Sequence, residues 1–139
     1  MMRKLLVYAD GASRGNPGPA GIGIIICDET GEVVKEYEEF IGIATNNVAE
    51  YRALLKALEL ARSFGAGELE CFSDSELMVK QLNGAYAIKN PRLQELLLQV
   101  REKEKLFRTV SYLHVSREDV LIMKADQRAN RAIGKKQRA

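Results

Sequence analysis

LLVYADGASRGNPGPAG, residues 5–21, decides the fold. An apolar run of the kind that forms a buried strand ends on an acid, Asp10, and a glycine-rich loop follows over residues 11–20. Asp and Gly are preferred where a strand must turn, so Asp10-Gly11 has a local explanation. The competing reading is that a strand end delivers a carboxylate to a site, and that reading requires partners elsewhere in the chain.

Working outward, residues 3–10, 21–28 and 32–40 read as strands, the last two joined by a tight turn at Glu29-Thr30-Gly31. Short connections favour antiparallel neighbours. TNNVAEYRALLKALELARSFGAG reads as a helix with an Asn cap at its start and Gly65 and Gly67 at its end. A fourth strand, 68–73, precedes a short helix closed by Asn83-Gly84. A helix over 91–106 then opens with Pro91 in its first turn, followed by a strand over 108–115 and a last helix over about 120–134. The order βββαβααβα predicts an α/β domain with a five-stranded mixed sheet flanked by helices, in one domain over 1–134 with a polar basic tail at 135–139.

The bulk numbers describe an ordinary globule of 139 residues, 46% hydrophobic and 29% charged. Twenty-one Lys and Arg against 19 Asp and Glu leave a net charge of +2, too little to demand a polyanionic partner. The basic residues gather late, however: Lys124, Arg128, Arg131, Lys135, Lys136 and Arg138 face only Asp126 after Leu121. That face reads either as a phosphate contact or as a solvated helix end complementing the helix dipole. Cys27 and Cys71 stand alone in strand-like runs, which predicts reduced, buried thiols in a cytoplasmic protein. No stretch approaches the roughly 18 apolar residues of a membrane span, and no signal peptide is expected.

Three further acids share Asp10's setting. Glu50 lies three residues after Asn47 and so fits a capping box, yet it also falls on a stripe with Leu54, Ala57 and Ala61 beside the face that meets the sheet. Asp74 sits at a strand-to-helix junction, where a cap is expected and where open sheets also bind ligands. Asp126 is in helical register with Ile122, Ala129 and Ile133. The single histidine, His114, excludes a multi-histidine zinc site and is expected to be structural. Clustered carboxylates repel unless protonated or bridged by cations, and an all-oxygen set selects Mg²⁺ or Mn²⁺. Two such ions about 4 Å apart suit phosphodiester hydrolysis.

DGASRGNPGPAG, TNNVAEYRALLKAL, SDSELMVKQLNG and KADQRANRA, in this order, resemble the ribonuclease H family, type 1, over nearly the whole chain. The resemblance implies the ribonuclease H-like fold and hydrolysis of the RNA strand of an RNA–DNA hybrid by a two-metal-ion endonuclease. It places Asp10, Glu50, Asp74 and Asp126 as catalytic carboxylates holding two Mg²⁺ ions, with Mn²⁺ able to substitute and Asp10 shared by both. It also implies substrate contacts at Gly11, Asn16, Thr45, Asn46 and Asn47, with Thr45 near a phosphate of the DNA strand, in a monomer. Amides and hydroxyls suit sugar and phosphate contacts, and the 2′-hydroxyl, which Glu50 is placed to accept, separates RNA from DNA.

This chain departs from the family pattern in three places. GAYAIKNPRL runs directly to the next helix, with no basic protrusion; residues 115–125 hold no histidine; and VSREDVLIMKAD is longer and more apolar than a polar loop. Glu118-Asp119 and Asp126 therefore both lie within reach of the fifth strand's end. Register favours Asp126, and Asp119 is expected to cap the last helix. The alternatives are a related nuclease of the same fold acting on other nucleic acids, or a non-catalytic nucleic-acid binding module.

Overall fold

The computed structural model describes residues 3–138. Its elements are β1 (Arg3–Ser13), β2 (Gly18–Asp28), β3 (Val33–Ala44), α1 (Asn46–Ser63), β4 (Ala66–Ser73), α2 (Glu76–Leu82), α3 (Pro91–Glu104), β5 (Thr109–His114) and α4 (Val120–Arg138). The order is the expected βββαβααβα. The five strands form one sheet in the order β3-β2-β1-β4-β5, antiparallel on the β3-β2-β1 side and parallel on the β1-β4-β5 side.

Several boundaries differ from the sequence reading. The glycine-rich stretch is not a loop over 11–20, because β1 and β2 stay paired out to Ser13↔Ala20 and leave only 14–17 as the connection. Backbone pairing overrides the turn preference of Gly and Pro there. Apart from Val115, the apolar residues of VSREDVLIMKAD belong to the first turns of α4, and that helix continues past residue 134 through Arg138.

The period of two along β1 divides the core between the faces of the sheet. Leu5, Val7 and Ala9 join Ile22, Ile24 and Ile26 under α1, α2 and α3. On the other face Tyr8, Ile25 and Cys27 meet Ile122 and Ala125 of α4. Cys27 and Cys71 are buried free thiols, as expected. Among the described residues no helix is long and apolar enough to cross a membrane.

Candidate metal centre and its cleft

The two parallel central strands deliver the first two acids. Asp10 lies near the end of β1, and Asp74 directly follows β4, the parallel neighbour of β1 in the sheet. Their carboxylates therefore leave the sheet side by side at the C-terminal ends of the strands, where ligands bind in such sheets.

Glycine brings the helices to meet them. A Cβ on Gly11 would stand 2.2 Å from the carbonyl carbon of Ala49 and 2.5 Å from the amide of Glu50, so only glycine lets α1 lie this close to β1. The space its missing side chain leaves is thus filled by α1 and is not left open to a ligand. On the opposite face Gly23, the cross-strand partner of Asp10, would place a Cβ 1.9 Å from the Ala125 carbonyl oxygen. The backbone of α4 rests on the sheet at that point and sets Asp126 beside Asp10.

Capping does not account for Glu50 or Asp74. Thr45, not an asparagine, caps α1, its hydroxyl accepting from the Val48 amide at 3.2 Å. Ser75 caps α2, accepting from the Met78 amide at 3.2 Å. Asp119 does cap α4 as expected, its carboxylate accepting from the amides of Leu121 and Ile122 at 2.9 and 3.0 Å.

Ligand oxygens of Asp10, Glu50 and Asp74 all lie within 4.8 Å of one another. Asp10 is 4% exposed, and Glu50 Oε2 is buried with no hydrogen-bond partner among the described residues. Burial, then the charges of Glu50, Asp74 and Asp126, push the Asp10 carboxyl far above the ordinary carboxylate range. Burial and Asp74 likewise raise Glu50, against the lowering effect of bonds from Asp10 and the Gly11 amide. Packed acids with an orphaned buried oxygen are the arrangement a hard divalent cation satisfies. Asp126 is exposed at the rim of the same cleft, near enough for its charge to act on Asp10.

A family model described as reverse transcriptase-like matches residues 8–132. Ribonuclease HI of Halobacterium salinarum is 44% identical over 126 residues, covering 91% of this chain and 62% of that protein. The chain belongs to the ribonuclease H family, type 1. The crystal structure of the RNase H1 from H. salinarum superposes with a TM-score of 0.91 at 42% identity, covering 95% of this chain and 98% of that one. LC11-RNase H1, solved in complex with an RNA/DNA hybrid, gives a TM-score of 0.91 at 40% identity over 96% of this chain and 99% of that one. The bifunctional protein Rv2228c of Mycobacterium tuberculosis is 43% identical over 82% of this chain, which spans 32% of its length. The chain thus covers less than two thirds of these curated relatives.

In this ribonuclease H chain the four acids share one cleft of about 360 Å³ with Ser13, Asn46, Ser75 and Arg117. Asn46 accepts from the Ser13 amide through Oδ1 at 3.0 Å, and Asn16 accepts from the Asn46 amide through Oδ1 at 3.1 Å. A backbone N–H can bond only the oxygen of each side-chain amide, so both NH₂ groups are left to donate elsewhere. Thr45 and Asn47 stand at the start of α1, beside the cleft but not in its lining. His114 is exposed on β5 and does not line the cleft. Arg117 was missed by the sequence reading. It lies in the connection between β5 and α4, and the cleft pairs it with Asp74 and Asp126. Nothing in SRED marks that arginine from any other loop cation.

Proposed function

We propose that this domain hydrolyses the RNA strand of RNA–DNA hybrids, using two Mg²⁺ ions held by Asp10, Glu50, Asp74 and Asp126. The observation that carries the reading is the convergence of the Asp10, Glu50 and Asp74 carboxylates within 4.8 Å, one of them bearing a buried oxygen with no partner among the described residues. The likeness to a ribonuclease H1 solved with a hybrid supports the choice of substrate.

When bound, the ions supply an activated water and charge stabilisation for the leaving oxygen. The chain's own part is to hold its ligands before substrate arrives. Strand ends fix Asp10 and Asp74, while Gly11 and Gly23 fix how close Glu50 and Asp126 come. The free amide donors of Asn16 and Asn46 suit phosphate and sugar oxygens, and Glu50 is the acceptor for a 2′-hydroxyl. Arg117 is a cation on the cleft wall, able to hold a phosphate beside the acids.

End-labelled hybrid, double-stranded DNA and double-stranded RNA, each with Mg²⁺ and with EDTA, test this. The RNA strand of the hybrid is cut in Mg²⁺ and left intact in EDTA. Equal cutting of double-stranded DNA overturns the reading.

A further inference from the structure

The connection at 14–17 is held from two sides. Toward α1 it is pinned by the Ser13 amide on Asn46, the Ser13 hydroxyl on the Ala44 carbonyl at 2.7 Å, and the Asn46 amide on Asn16. Toward α4 the contact is Arg14. Its amide is fixed on the Pro19 carbonyl at 2.8 Å, while Nη1 donates to Gln137 Oε1 at 2.5 Å and Nη2 to the Asn130 carbonyl at 3.2 Å. Asn130 in turn donates through Nδ2 to Asp126 Oδ1 at 3.1 Å. Among the described residues Arg14 makes no ion pair, so its guanidinium serves neutral acceptors on a helix more than a hundred positions away.

We infer that Arg14 is a positioning residue that braces the Asn16 loop against α4, so that the last turns of α4 set the affinity for the hybrid. This rests on the reading of the loop as a hybrid contact. A planar fork with several fixed donors spans two acceptors from residues about two turns apart on α4, which a single ammonium does not. The brace lands on the Asn130 backbone carbonyl, whereas the Asn130 side chain bonds Asp126, so losing Arg14 frees the loop and leaves the Asp126 contact in place.

The test is binding of a fluorescently labelled RNA–DNA hybrid in EDTA across a salt series, for the wild type, Arg14→Ala, Gln137→Ala and the double variant. Arg14→Ala is expected to weaken binding by about tenfold, the lower range for losing a bond to a charged group. The slope of log affinity against log salt stays that of the wild type, because no phosphate contact is removed. Gln137→Ala weakens binding alone and adds nothing to Arg14→Ala. In Mg²⁺ the KM for the hybrid rises, while kcat stays within about twofold. A slope shallower by about one phosphate contact, additive effects, or unchanged binding by Arg14→Ala each overturn the brace. A wild type that binds no hybrid overturns the loop reading itself, a result the variants cannot mimic.

Discussion

Arg128 and Glu38 meet at 2.9 Å, joining α4 to the edge strand β3. Glu38, its side chain 14% exposed, also receives Lys135 at 3.3 Å and Arg131 at 3.6 Å, while Arg128 reaches Glu36 at 3.1 Å. Three cations of the last helix, Arg128, Arg131 and Lys135, are therefore engaged by two glutamates of the strand beneath it. That part of the charge, which reads in the sequence as a phosphate contact, holds α4, and with it Asp126, against the sheet.

Glu38→Gln should lower Tm by roughly 5 °C at pH 7, between the small effect of a surface pair and the large one of a buried pair. Burial works to raise the Glu38 pKa, but the bond from Arg128 and the Lys135 and Arg131 cations beside it outweigh it and hold the carboxyl below its ordinary value. A depressed carboxylate stabilises above its unfolded pKa and loses that contribution as pH falls through the folded one. The difference between wild type and variant should thus shrink below about pH 4. Thermal melts across pH check this. Hybrid binding by the Arg128→Ala, Arg131→Ala pair should keep the wild-type salt slope, since paired cations release few counterions.

Gly11→Ala should be damaging in both stability and activity. Its Cβ would fall 2.2 to 2.5 Å from the α1 backbone, where no side chain can give way. Relieving the overlap means lifting the start of α1, which costs about 1–3 kcal/mol and withdraws Glu50 from Asp10. Gly31→Ala, with nothing within 4 Å but a positive φ of 88°, should cost stability and leave activity in place. Melting curves and cleavage rates for the two variants separate packing at the site from backbone strain at a turn.

The element order was legible because apolar periodicity changes cleanly at Gly, Pro and Asn, and the four acids were legible because each stands where a strand ends or a helix turns inward. The choice of caps was not. Thr45, Asn46 and Asn47, like Asp74 and Ser75, are all capping residue types, and only the path of the backbone assigns the role to Thr45 and Ser75. Freed from capping, Asp74 enters the cleft. The lock between Glu38 and α4 joins positions some 90 residues apart, and the brace from Arg14 still more, so no local pattern announces either.

Asp10→Asn should lower hybrid cleavage by about a hundredfold or more, because a ligand shared by the acidic cluster is lost. It should also stabilise the metal-free protein. Burial and neighbouring charges raise the Asp10 pKa, so the folded state binds a proton that the unfolded state releases. That contribution is whole below the unfolded value near 4 and is lost as pH rises through the folded pKa. In EDTA the Tm gain of Asp10→Asn should therefore grow as pH is raised from about 4, and Mg²⁺ should stabilise the wild type more than the variant. A variant that unfolds more readily than the wild type at pH 8 in EDTA contradicts the cluster's electrostatics.

Asp119 and Asp126 divide the last helix between them, and substitution should tell them apart. Asp119 bonds the first free amides of α4 through one carboxylate oxygen. Asparagine caps about as well, so Asp119→Asn should leave activity and Tm nearly unchanged. Asp126 is exposed at the cleft rim, steadied by Asn130 and lining the same cleft as Asp10. Standing at the edge of the cluster, it should be less costly to replace than Asp10, and Asp126→Asn should recover part of its lost rate in Mn²⁺, which takes nitrogen ligands more readily than Mg²⁺. Rates for both variants in each metal settle the assignment. An inactive Asp119→Asn beside a fully active Asp126→Asn in Mg²⁺ would move the fourth ligand to the loop before α4.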